Sequence, residues 1–145
     1  MAIYHSRSLL TRSEVGKRKA QGMNFMDSIY DDMKKSEKQV ANYLKKLGLH
    51  WKYQFPIFVY DDKDRPRVWS PDFYIPKLGI YVEVCGSEEF NYDYRERIYQ
   101  KNGHCVIFVH LYKERKKWKH YLMKKIMEIE NMRHSEVMKF APTMV

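Results

Sequence analysis

Ser70-Pro71-Asp72-Phe73-Tyr74-Ile75, followed after a short gap by Ile80-Tyr81-Val82-Glu83-Val84-Cys85-Gly86, constrains the fold more than any other stretch of the chain. The aromatic and β-branched residues read as two strands, and Pro76-Lys77-Leu78-Gly79 between them reads as a turn. Side chains alternate along a strand, so Ile80, Val82 and Val84 face a core while Tyr81, Glu83 and Cys85 share the opposite face. Glu83 then stands where a strand normally carries something neutral. Asp72, on the preceding strand, comes close to it across the hairpin. Two neighbouring carboxylates repel each other, and a hard divalent cation, Mg²⁺ or Mn²⁺, takes oxygen ligands of this kind.

The elements around this hairpin follow from periodicity. Val40, Tyr43, Leu44 and Leu47 recur at helical spacing, predicting a helix from about Asp32 to Leu47 that stops at Gly48. Glu37 lies on the edge of its apolar stripe. Trp51–Tyr60 is aromatic and β-branched and reads as a strand, with Pro56 marking an edge or a bulge. Asp61-Asp62-Lys63-Asp64-Arg65-Pro66 is a turn; its aspartates alternate as in a calcium loop, but the Gly and the closing Glu are missing. A helix over Tyr92–Asn102, with Tyr94 and Ile98 on its apolar side, precedes the apolar run Cys105-Val106-Ile107-Phe108-Val109. That run reads as a strand buried on both faces, joined to the hairpin by a right-handed crossover. A long helix is expected from Lys113 to about Arg133. Trp118, Tyr121, Leu122, Ile126 and Ile129 give it an apolar side, and Lys116, Lys117, Lys124 and Lys125 a basic one. The last dozen residues read as frayed.

The class is therefore α/β, a mixed sheet flanked by helices. Residues 1–35 form a basic N-terminal arm, 36–112 the core and 113–145 a basic C-terminal helix and tail. The net charge of +9 over 145 residues points to nucleic acid, because clustered Lys and Arg release counterions from phosphates. Arg12, Lys17 and Arg18 of the arm and Lys116, Lys117, Lys124 and Lys125 of the last helix are the candidate phosphate contacts; a solvated basic face is the alternative. No apolar run is long enough to cross a membrane, no signal peptide is evident at Met1–Arg7, and two distant cysteines make no disulfide framework. These features lead to the expectation of a cytoplasmic or nucleoid-associated protein. Cys85, Cys105, His104 and His110 match no zinc-finger spacing.

The acidic residues fall on the first helix and on the two hairpin strands, ahead of a helix and an apolar strand. In this the chain resembles the PD-(D/E)xK nuclease superfamily, which includes restriction endonucleases, Holliday junction resolvases and very-short-patch repair endonucleases. The resemblance rests on Pro71-Asp72, on Glu83-Val84-Cys85 within Tyr81–Gly86, and on the helix and strand behind them, over about residues 36–112. It implies a restriction endonuclease-like core and Mg²⁺- or Mn²⁺-dependent hydrolysis of DNA phosphodiesters. Asp72 and Glu83 would be metal ligands, with the Val84 carbonyl as a third, and Glu37 would orient the site, hold water or help with a second metal. It further implies a homodimer where two symmetric cuts are made, and no small-molecule cofactor. The chain departs from the family at the motif's lysine, which is Cys85 here. Lys101, Arg97, Arg95 and Lys52 are the candidate replacements. The alternatives are catalysis by metal alone or a degenerate site on a protein that only binds nucleic acid.

Overall fold

Hairpin pairing dominates the centre of the molecule. The computed structural model describes residues 28–88, 90–113 and 117–140. Strands β1 (Lys52–Tyr53), β4 (Phe73–Ile75), β5 (Ile80–Cys85) and β6 (Val106–His110) form one mixed sheet in the order β1-β4-β5-β6. β4 and β5 are antiparallel, with Phe73 opposite Val82 and Ile75 opposite Ile80. The same register carried one residue further sets Asp72 opposite Glu83. β5 and β6 are parallel, as a crossover through a helix requires.

The two faces of β5 enter two separate cores. Ile80 and Val82 join Val40, Ala41 and Leu44 of α1 (Lys35–Lys46) and Leu122 and Ile126 of α3 (Trp118–Phe140). On the other face Cys85 packs with Phe108, with Ile98 and Tyr99 of α2 (Asp93–Lys101), and with Ile57, Val59 and Trp69. The molecule is thus an α/β arrangement with helices on both faces of a mixed sheet. Burial of each such aliphatic side chain stabilises by about 1.5–3 kcal/mol.

Several boundaries differ from the sequence expectation. The strand expected over 51–60 is broken in two, because Gln54 adopts φ 51° and donates its N–H to the Asp72 carbonyl at 2.9 Å. Its second half, β2 (Ile57–Tyr60), leaves the main sheet and pairs with β3 (Pro66–Trp69), a strand the sequence reading lacks. Asp61 holds the connecting turn. It accepts the N–H groups of Lys63 and Arg65 at 2.9 Å and the guanidinium groups of Arg65 and Arg67 at 2.9 and 3.2 Å. These donors lower its pKa, against an opposing effect of burial. The calcium-like spacing is thus an arginine-bound turn.

Helix α1 begins at Lys35 rather than Asp32, since Ile29–Asp32 forms a separate 3-10 turn. Helix α3 begins at Trp118, not Lys113, and continues to Phe140 where fraying was expected. Arg133 of α3 donates to the carbonyls of Leu78 and Gly79, tying this helix to the β4–β5 turn. In α2 the buried residues are Ile98 and Tyr99, while Tyr94 is exposed. Among the described residues no helix is long and apolar enough to cross a membrane.

Candidate metal centre

The end of the β4–β5 hairpin opposite its turn gathers the acidic residues. Glu83 alternates onto the α2 side of β5 and is almost fully buried. Asp72 precedes β4 and is half-buried; its Oδ2 accepts the Val84 N–H at 2.7 Å. Glu37 arrives from the first turn of α1 and is also buried. Its Oε1 accepts the Lys34 N–H at 2.9 Å, satisfying one of the helix's open donors, and its Oε2 accepts the Tyr53 hydroxyl at 2.9 Å. Lysine has no acceptor with which to return the first of these bonds. Glu37 is therefore a core residue rather than a boundary one.

These carboxylates act on one another. The Asp72 pKa is raised well above the ordinary 3.8, first by burial and then by the charges of Glu83 and Glu37. Glu37 is also close enough to share a hydrogen bond with protonated Asp72. Burial raises Glu83 as well, against the opposing pull of Arg95. Arg95 Nη1 donates to Glu83 Oε2 at 2.9 Å, with the Arg95 side chain only 17% exposed. It lies 5.7 Å from the ring centres of both Trp69 and Phe90. Glu83 Oε1 and the Tyr99 hydroxyl have no hydrogen-bond partner among the described residues, although the two groups still shift each other's titration.

The cations proposed from sequence separate clearly. Lys101 Nζ donates to the Asp61 carbonyl at 2.7 Å and to Asp64 at 2.8 Å, which holds it on the β2–β3 turn. Arg97 lies over Tyr94 at 5.5 Å, and Lys52 over Phe55 at 5.4 Å. Of these candidates, Arg95 is the one that pairs with an acid of the cluster. Helical spacing carries that signal: Arg95, Ile98 and Tyr99 share a face at i, i+3 and i+4, whereas Arg97 and Lys101 share another. Tyr53 carries no comparable signal, because its bond to Glu37 spans 16 residues.

Cys85 points into the second core, and burial together with the Glu83 and Asp72 charges pushes its thiol pKa far up. It is held as a neutral thiol, unsuited both to a nucleophile's part and to an ammonium's. His104 contacts the Phe58 carbonyl and His110 the Tyr112 hydroxyl. Lys117 and Lys124 are exposed, and Lys125 pairs with Glu128 at 3.4 Å. Arg12, Lys17, Arg18 and Lys116 lie outside the described residues.

Among the described residues no group of three or more His, Cys, Asp or Glu side chains is placed to hold a metal ion. Asp72 Oδ2 is engaged by Val84, Glu83 Oε2 by Arg95, and both Glu37 oxygens by Lys34 and Tyr53. The donor chemistry nevertheless fits a hard cation. Mg²⁺ needs only one or two protein carboxylates when substrate phosphate and water complete its shell. Among the described residues Glu83 Oε1 is buried without a hydrogen-bond partner, and a cation there would relieve the repulsion that adds to burial in raising Asp72. Comparison with protein families, with curated proteins and with solved structures finds no match.

Proposed function

We propose that the chain is a metal-dependent endodeoxyribonuclease with a restriction endonuclease-like core, hydrolysing DNA phosphodiester bonds. The observation that carries this reading is the placing of half-buried Asp72 opposite buried Glu83 in the hairpin register, with both Glu83 and buried Glu37 close enough for their charges to raise its pKa. Such a cluster is unfavourable by itself, and acidic clusters that persist against their own repulsion are characteristic of functional sites.

Asp72 and Glu83 are the oxygen ligands in this reading, with the Val84 carbonyl as a third. Glu37 is a positioning residue, because its oxygens hold the start of α1 and Tyr53 while its carboxyl meets Asp72. Bound Mg²⁺ or Mn²⁺ supplies a Lewis acid that activates water and stabilises charge on the phosphate. The N-terminal ends of α1 and α2, which carry Glu37 and Arg95, add partial positive charge where an anionic backbone would lie. The +9 net charge supports DNA as the partner, and paired cuts would call for two copies of the chain.

The test is cleavage of duplex, nicked and four-way-junction DNA with Mg²⁺ or Mn²⁺, beside EDTA and an Asp72→Ala control. Metal-dependent products that vanish in the control are expected. Binding to these DNAs without cleavage of any of them assigns instead a degenerate protein that only binds nucleic acid.

A further inference from the structure

From the Glu83–Arg95 pair we infer that Arg95 is a shared cation, held by Glu83 in the metal-free site and given over to the substrate phosphate when a divalent cation takes that carboxylate. This inference rests on the metal-site reading above and deepens it by naming the residue that meets the phosphate.

Three features carry it. First, Arg95 Nη1 lies 2.9 Å from Glu83 Oε2, so one positive charge already occupies the side of Glu83 that a second ligand oxygen would offer. A carboxylate oxygen engaged by a guanidinium binds a divalent cation less well, because the two positive charges repel at contact distance. Second, the guanidinium stands over two aromatic rings. Trp69 and Phe90 each stand 5.7 Å from it, so its position does not depend on Glu83 alone. Third, Arg95 lies in the first turn of α2 and its side chain keeps 17% exposure where that of Glu83 keeps 3%.

A planar guanidinium forms two parallel bonds to a phosphate as readily as to a carboxylate. When Glu83 turns to a metal, its partner keeps its place against the Trp69 and Phe90 rings and presents its N–H groups to the next anion to arrive. The same pair explains how buried Glu83 is tolerated before any metal binds, since an isolated buried carboxylate is strongly unfavourable.

The test is titration of Mn²⁺ into the metal-free full chain, followed by the free Mn²⁺ signal in electron paramagnetic resonance. Wild type, Arg95→Gln, Arg95→Lys and Asp72→Asn are compared. Arg95→Gln is expected to bind Mn²⁺ roughly tenfold more tightly than wild type, the scale on which a close charge pair couples. Arg95→Lys, which keeps the charge but loses the planar fork, is expected to shift in the same direction by less. It also provides the readout should Arg95→Gln fold poorly. A second arm measures the affinity of a short DNA duplex with Ca²⁺ in place of Mn²⁺. Here Arg95→Gln is expected to bind DNA several-fold more weakly than wild type, the loss of one charge-assisted pair.

Equal or weaker Mn²⁺ binding by both Arg95 variants, with Asp72→Asn still abolishing it, overturns the shared-cation role and leaves the metal site standing. Unchanged DNA affinity in Ca²⁺ overturns the phosphate contact. Absence of Mn²⁺ binding in wild type and in all variants removes both this inference and the metal reading beneath it.

Discussion

The Asp72 carboxylate accepts the backbone N–H of Val84 at 2.7 Å, across the hairpin and one residue beyond Glu83. This bond pins Asp72 beside two other acids that it would otherwise avoid. Asp72→Asn keeps an oxygen for the Val84 N–H and gains an amide donor for Glu37, while removing one of the repelling charges. In EDTA this variant is expected to be more stable than wild type by ~1–2 kcal/mol, within the range over which groups in contact couple. For a chain of this length that is a rise in Tm of roughly 3–6 °C, read by thermal denaturation.

That gain depends on pH, with a definite sign. Asp72 has a folded pKa above its ordinary 3.8. Between those two values the folded chain binds more protons than the unfolded one. Its stabilising contribution is therefore fully present below 3.8 and is lost as pH rises through the folded pKa. The Tm advantage of Asp72→Asn should widen as pH rises. Asp61 runs the other way, because its folded pKa is lowered. The Tm deficit of Asp61→Asn should be full above 3.8 and shrink as pH falls below it. Melting curves of both variants across pH in EDTA check the two signs together.

Tyr53→Phe removes the hydroxyl that bonds to Glu37 Oε2 at 2.9 Å and leaves that buried oxygen one donor short. A loss of about 1–2 kcal/mol is expected. If Glu37 positions Asp72, the metal-dependent cleavage rate should also fall in the protein that remains folded. Melting and cleavage rates measured at one temperature separate the two effects.

Much of this site is legible in the residues because it is local. The alternation in Ile80–Cys85 gives the two faces of β5, and the short turn fixes the register that opposes Asp72 and Glu83. What escapes is set by long-range bonds. The break at Gln54 exists because its N–H meets Asp72, 18 residues on, and the β2–β3 hairpin is held by Asp61 through arginines. A four-residue strand beginning Pro66-Arg67 has too little apolar pattern to declare itself. Arg95 is distinguished from Arg97 and Lys101 only once Ile98 and Tyr99 identify the buried face of α2.

Lys117, Lys124 and Lys125 can be tested for phosphate contact by replacing them with Gln and following DNA affinity against salt. Each lost duplex contact should reduce the slope of log affinity against log salt by about 0.9. An unchanged slope assigns this face to solvent, including Lys125, which already pairs with Glu128 at 3.4 Å.

The most direct measurement compares the Mn²⁺-dependent rate of DNA strand cleavage by wild type with that of Asp72→Asn. The variant is expected to melt higher in EDTA, so loss of fold cannot account for loss of rate. Cleavage by wild type that falls by roughly a hundredfold or more in Asp72→Asn is the predicted result, the scale on which a lost transition-state contact registers. Cleavage that continues at the wild-type rate without the Asp72 carboxylate would contradict the account.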